Sequence, residues 1–423
     1  MTWFDAGAPH VWLPYTQMRT APPPLPVVRT YGSRLVLADG RELIDGIASW
    51  WTAVHGYNHP AIAAALRAQI DVMPHVMFGG LAHEPAYRLC ARLAALLPGD
   101  LDCVFLSESG SVSVEIALKM ALQYHRNRGD EGRGRVLAFE DAYHGDTFGT
   151  MALCDPTSGM HAIFAGALAE HDFLPLPRDG ETTAALAAYA ERYGERLAAI
   201  VVEPLVQGAG GMRFHDAAVL ERLRALANRT GALLIFDEIF TGFGRTGATF
   251  ACEAAGVVPD IVTLSKALSG GTLPLAATIA RRSVFEGFLA EDPSHALMHG
   301  PTYMANPLAC AAALASLDLF ATEPRLAQAA AIGVALEAGL APLRDVPGVL
   351  DVRVRGAIGV VQLRPGAGLV PLRAAFAERG CFVRPLRDVV YLTPALTIGA
   401  EDLASLTTAV TDVVRAHVLE PFT

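Results

Sequence analysis

Residues 260 to 271 read DIVTLSKALSGG. A short, β-branched apolar run reaches a lysine, Lys266, and the glycine pair Gly270-Gly271 follows. Unbroken apolar runs of this length mark strands covered on both faces, as in a parallel sheet. An ammonium at the end of such a strand is costly unless something engages it. A lysine whose stem lies on apolar surface while its head reaches water is the ordinary explanation. The flanking sequence decides between the two.

Working outward, short strands alternate with helices from about residue 100. LDCVFLS, RVLAFE, LAAIVVEP, ALLIFDEI and DIVTLS read as strands; SVSVEIALKMALQYHRN and AAVLERLRALANRTG read as helices. The pattern predicts an α/β fold with a mostly parallel sheet covered by helices, whose ligands collect at the carboxyl ends of the strands. Upstream, APPPLP is a stiff extended connector. RLVLADGRELIDGI is a hairpin turning at Asp39-Gly40, ASWWTAVHGYNHP an aromatic loop and AIAAALRAQIDVM a helix. Beyond residue 310 an alanine-rich helix precedes VLDVRV, AIGVVQL and VVYLTPAL, a smaller α+β unit. The expected division is a large domain over 56–309 and a small one built from 1–55 and 310–423.

The 423 residues are 52% hydrophobic and 18% charged, the balance of a globular chain with a large core. A formal charge of −10 lacks the basic stripe that nucleic acid requires. No unbroken run of 18 apolar residues occurs, so no membrane span is expected. The N-terminus has no basic region followed by an apolar core, which favours the cytoplasm. Six scattered cysteines without a C-x-x-C pair suggest reduced thiols, not a disulfide frame or zinc site. His83-Glu84 opens like a zinc-protease helix, but Tyr87 stands where the second histidine belongs.

Three groups fall at strand ends. Ser107-Glu108-Ser109-Gly110-Ser111 lies between a strand and a helix, where free N–H groups and a glycine make a ready phosphate cradle; taken alone, an ordinary N-cap is the favoured reading. Asp237-Glu238 closes an apolar strand, and Lys266 closes the next. Between them Gly242-Phe243-Gly244-Arg245-Thr246-Gly247 satisfies G-x-G-x-x-G. DEIFT separates these glycines from their strand, however, and Asp260 precedes the following strand, so a dinucleotide site fits poorly. Pyridoxal phosphate needs all three groups: a phosphate cradle, a lysine for its aldehyde, and a carboxylate that keeps its ring nitrogen protonated. Burial lowers a lysine's proton affinity and makes it a nucleophile and base.

FLSESGSVSVEIALK, AYHGDTFG, VVEPLVQGAGGM, LLIFDEIFTGFGRTG, TLSKALSGG and MHGPTYMANPLACAAA, in that order, resemble the class III aminotransferases. These are pyridoxal-phosphate enzymes of fold type I. The resemblance implies that Lys266 bonds the cofactor aldehyde and shuttles a proton, and that Asp237 pairs with the ring nitrogen. Gly110 and Ser111 would hold the phosphate, with Tyr143 stacked on the ring. Pro301 and Thr302 would reach in from a neighbouring subunit, which makes the expected assembly a homodimer. WLPYTQM, SWWTAVHGYNHP, HVMFGG and RPL…VVYLTP are most similar to the branch of the family that serves biotin biosynthesis. That similarity implies 8-amino-7-oxononanoate as amino acceptor and S-adenosylmethionine as donor. Tyr15, Trp50, Gly300 and Arg384 would line the acceptor site, Arg384 holding its carboxylate. His144 and Asp146 would stand behind the contact residues without an assigned role. Ala209 stands where relatives acting on ω-amino acids carry glutamate, and Phe240 where a small residue is commoner. A lysine donor, or a diamine or ω-amino acid acceptor, is the alternative within the family. A non-catalytic protein that merely kept the fold is a third reading, and the presence of both Lys266 and Asp237 opposes it.

Overall fold

The computed structural model describes residues 2–157, 161–366 and 368–419. Near the N-terminus β1 (Val27–Tyr31), β2 (Arg34–Leu37) and β3 (Glu42–Asp45) form an antiparallel meander. The turn between β2 and β3 uses Gly40 at φ 88°, a left-handed position that suits glycine. The main sheet then collects β4 (Leu101–Ser107), β5 (Arg135–Phe139), β6 (Asp172–Leu174) and β7 (Leu197–Val202). A two-stranded ribbon, β8 (Val206–Gln207) with β9 (Arg213–Phe214), precedes three more of its strands: β10 (Leu233–Asp237), β11 (Ile261–Leu264) and β12 (Ala276–Arg281). Toward the C-terminus come β13 (Val349–Arg355), β14 (Ile358–Leu363), β15 (Cys381–Phe382) and β16 (Val389–Leu392).

The main sheet has the order β4-β12-β11-β10-β7-β5-β6. Every pair from β11 to β6 is parallel, while β12 runs antiparallel to both of its neighbours. β7, β10 and β11 are buried at every position, which explains their continuous apolar sequences. The strand Ala276–Arg281 is one that reading the sequence did not name, because AATIAR resembles helix as much as strand.

The two ends of the chain share a sheet: β15 lies parallel to β3, with Cys381 opposite Ile44 and Phe382 opposite Asp45. β13, β14 and β16 form a separate antiparallel sheet. One helical stretch, Arg325–Leu343, is long and apolar enough to cross a membrane, contrary to the expectation drawn from unbroken apolar runs. Ala329, Ile332, Leu336 and Leu340 form its buried stripe, and the helix Arg325–Leu340 packs on β13, β14 and the C-terminal helix Ala400–Leu419.

The glycines after Lys266 exist for close approach. A Cβ on Gly271, at φ 75°, would lie 2.7 Å from the Ala53 nitrogen. Gly40, also left-handed, has open space around it. Gly271→Ala should therefore cost about 2–5 kcal/mol, summing a left-handed penalty and overpacking, and Gly40→Ala only about 1–2 kcal/mol. Urea unfolding of both variants checks this ordering.

Candidate active site

The carboxyl ends of the parallel strands converge on one hollow. Asp237 is the last residue of β10, and Lys266 stands two residues beyond β11 in a turn, at φ 41°. β4 ends at Ser107, and Ser109 then caps the helix Gly110–Asn127, its Oγ accepting from Val112 N–H at 3.3 Å. Helix geometry leaves the N–H groups of Gly110 and Ser111 without an intrahelical acceptor. The N-cap is thus present beside these free N–H groups.

A cavity of about 190 Å³ is lined by Gly110, Ser111, Tyr143, His144, Glu203, Asp237, Lys266 and their neighbours. A second, of about 340 Å³, is lined by Tyr15, Trp50, Arg373, Arg384, Arg387 and others. Trp51, Tyr143, Ala209 and Lys266 line both, so the two join at the lysine.

The electrostatics of the inner cavity centre on buried carboxylates. His144 Nδ1–H donates to Asp237 Oδ2 at 2.7 Å, and Asp237 Oδ1 accepts from Ile239 N–H at 3.1 Å. Burial disfavours the His144 imidazolium, but the hydrogen bond and charge of Asp237, with Glu203 beyond, outweigh it and raise the pKa. Glu203 follows β7 and accepts from Tyr143 N–H at 3.0 Å and Gly208 N–H at 2.8 Å. Burial, with Asp237 adding to it, pushes Glu203 up to about 7 against the opposing His144 and backbone bonds. Burial lowers the Lys266 pKa, and the charges of Asp237, Glu203 and Asp146 only partly offset it. Among the described residues no ion pair holds Lys266; its Nζ lies 4.6 Å from the Trp51 ring centre. Only two of the 33 basic residues are lysines, and the other, Lys119, is exposed, with its Nζ 3.3 Å from Met298 O and 3.1 Å from His299 Nδ1.

The outer cavity is aromatic with cationic residues at its far side. Tyr15 and Tyr143 hydroxyls meet at 3.2 Å, and both donate to Asp146. His161 Nε2 contacts the same carboxylate at 2.9 Å. The Arg384 guanidinium lies 5.0 Å from the Trp50 ring centre, and Tyr15 meets that ring edge-on at 6.3 Å. Arg387 hydrogen-bonds Asp141 at 3.2 Å, whereas among the described residues no carboxylate pairs with Arg384 or Arg373.

The structure thus brings Tyr15, Trp50, Gly110, Ser111, Tyr143, Asp237, Lys266 and Arg384 together. It does not bring Gly300, Pro301 or Thr302 to either cavity. They lie in an outlying loop, Gly300 and Thr302 exposed, so a single chain does not support Gly300 as a lining residue. Phe240 does face the inner cavity, its ring 4.3 Å from Trp51. His144, Asp146, Glu203, Trp51 and Arg373 had no role assigned from the sequence. Glu203 carries the same signal as Asp237, an acid closing a wholly apolar strand. The Gly242–Gly247 string opens no helix; its Arg245 is buried and bonds the carbonyls of Ala357 and Pro394. His83 is an N-cap, its Nδ1 accepting from Ala86 N–H at 3.3 Å.

The family model "Aminotransferase class-III" matches residues 15–414. The chain belongs to the class III aminotransferases. A relative in Mycobacterium leprae named adenosylmethionine-8-amino-7-oxononanoate aminotransferase is 45% identical over 96% of this chain and 95% of its own length. The crystal structure bearing that name from Methanocaldococcus jannaschii superposes with TM-score 0.93 at 30% identity, covering 97% of this chain and 98% of its own. An (S)-enantioselective omega-transaminase from Thermomicrobium roseum gives TM-score 0.90 at 32% identity, covering 98% of each chain. Class III aminotransferases depend on pyridoxal phosphate, and the donor set here fits it. The helix N–H groups suit a phosphate and Asp237 a pyridinium, while Lys266 has no competing ion pair. Gly145, where a Cβ would lie 2.2 Å from Ser111 Oγ, lets the Tyr143 loop close on that helix.

Glu203 also sets a pH dependence. Its folded value of about 7 lies above the ordinary 4.5, so the native state keeps a proton that the unfolded chain releases. The stability it contributes is complete below the unfolded value and is lost as pH rises through the folded one. Urea unfolding at about pH 5 and about pH 8 should show a smaller loss for Glu203→Gln than for the parent, and an equal loss contradicts this assignment.

Proposed function

We propose that this aminotransferase converts 8-amino-7-oxononanoate to 7,8-diaminononanoate in biotin biosynthesis, with S-adenosylmethionine as donor. The observation that carries the reading is the course of the hollow: aromatic walls from Lys266 outward, then an arginine that no carboxylate among the described residues neutralises. That profile suits a flexible apolar chain with a ketone at one end and a carboxylate at the other. Ala209 lines both cavities, where a glutamate would compete for Arg384, which favours this acceptor over ω-amino acids. The names of the relatives support the same substrates.

Pyridoxal phosphate, when bound, supplies an aldehyde for amines to condense with and a ring that takes up electrons as a C–H proton leaves. The chain's residues do the rest. Gly110 and Ser111 hold the phosphate from the helix N-terminus. Asp237, hydrogen-bonded by His144, would meet the ring nitrogen and favour its protonated form. Lys266 Nζ, its proton affinity lowered by burial, would take the donor's α-proton and give it back on the far side of the amine nitrogen. Tyr143 borders both cavities, its hydroxyl fixed by Tyr15 and Asp146, and Arg384 grips the acceptor's carboxylate while Tyr15 closes the entrance. Pro301 and Thr302, set away from their own site on an exposed loop, complete the phosphate site of a second subunit in a homodimer. Six free thiols accord with work in the reducing cytoplasm.

The deciding experiment offers S-adenosylmethionine, lysine and alanine separately and follows conversion of the cofactor from aldehyde to amine. 8-Amino-7-oxononanoate is then added and the diamine measured. Reaction with S-adenosylmethionine and formation of the diamine are expected; conversion by alanine alone, or no diamine, overturns the reading. Arg384→Gln should raise KM for the ketone about 10- to 100-fold, the worth of a charged hydrogen bond, and leave the donor half-reaction within a few-fold.

A further inference from the structure

Four consecutive residues without a glycine, Ala48, Ser49, Trp50 and Trp51, have φ of 46°, 48°, 53° and 74°. With ψ of 61° at Ser49 and 50° at Trp50, the segment is one turn of left-handed helix. L-residues visit that region singly, because Cβ crowds the following carbonyl oxygen. A run of four persists only where its surroundings over-determine it, and such strain gathers at functional sites.

The surroundings are a single buried carboxylate. Asp45, at the end of β3, accepts from Ile47 N–H at 2.9 Å, from Ser49 N–H at 2.8 Å and from the Tyr57 hydroxyl at 2.5 Å. The Ser49 hydroxyl closes the ring by meeting the Tyr57 hydroxyl. Among the described residues no cation pairs with Asp45, so these donors are its compensation for burial. The far end of the turn is clamped by the close approach of Gly271 to Thr52 and Ala53.

What the turn delivers is the two tryptophans. Trp51 lies beneath Lys266 and against Phe240, and Trp50 lies against Arg384 and Tyr15. Of these adjacent side chains, Trp51 thereby lines both cavities and Trp50 the outer one alone. A right-handed turn over the same residues would re-aim both rings.

We infer that Asp45 is a positioning residue of this active site: through Ile47, Ser49 and Tyr57 it holds Ala48–Trp51 left-handed, and thereby sets Trp51 under the lysine and Trp50 beside the acceptor's arginine. The consequence for Arg384 rests on the acceptor reading proposed above; the consequence for the tryptophans does not. Loosening the turn divides the competent population, and the apparent affinity for the acceptor falls by that factor.

The test uses Asp45→Asn in the full-length protein, with Tyr57→Phe as the milder variant should the first fold poorly. Near-ultraviolet circular dichroism of the cofactor-free protein reports the tryptophans, and steady-state kinetics report KM and kcat separately. Asp45→Asn should weaken the tryptophan dichroism and raise KM for the ketone about tenfold, with kcat changed less, because one left-handed residue is worth roughly a factor of ten. Tyr57→Phe should move both signals in the same direction by roughly two- to fivefold. Adding Ser49→Gly to Asp45→Asn should recover most of both signals, since glycine adopts the left-handed conformation without a clash. Parent-like dichroism and KM in both single variants, or a lowered melting temperature that Ser49→Gly leaves unrescued, overturns the inference. If the parent itself fails to turn over 8-amino-7-oxononanoate, the acceptor reading falls while the dichroism comparison still decides the role of Asp45.

Discussion

The site depends on a mostly buried amine that, among the described residues, no anion contacts. The buried carboxylates are engaged elsewhere, Asp237 by the His144 imidazole and Glu203 by two backbone N–H groups. Their charges reach Lys266 only at a distance, where they offset part of its desolvation and supply no hydrogen bond. The Trp51 face supplies the remaining contact, weak enough for a ligand to displace. An amine so placed gives up its proton readily and is free to bond carbon. The fold provides the place: β7, β10 and β11 are buried along their whole length, and their carboxyl ends are where polar groups can gather.

Much of this was legible in the sequence because burial and charge conflict there visibly. Asp237 and Lys266 each follow a wholly apolar strand, and only a shared partner makes that tolerable. Glu203 shows the same conflict at the end of β7. The reversed strand β12 was hidden by its alanines. Trp51 could not be separated from Trp50, because ordinary helix or strand geometry fixes which of two neighbours faces a site, and a left-handed turn follows neither rule. Gly300, Pro301 and Thr302 carry a family motif but line neither cavity, and nothing in their spacing from Lys266 signals that.

Two residues give the pocket its own character. Phe240 packs on Trp51, and Gly208 is small enough to admit it, since a Cβ there would lie 2.9 Å from the Phe240 ring. Arg373 joins Arg384 in the outer cavity, and among the described residues its buried Nε has no partner. Burial, with Arg384 beside it, lowers the Arg373 pKa. The far end of the hollow is therefore short of negative charge, which a carboxylate ligand would supply.

Because the chain contains only Lys119 and Lys266, one measurement tests the central claim directly. The cofactor-loaded protein is reduced with borohydride and digested, and the peptide carrying the added pyridoxyl mass is identified. The account expects the mass on the peptide containing Lys266 alone. Finding it on Lys119, or on neither lysine, would contradict the account.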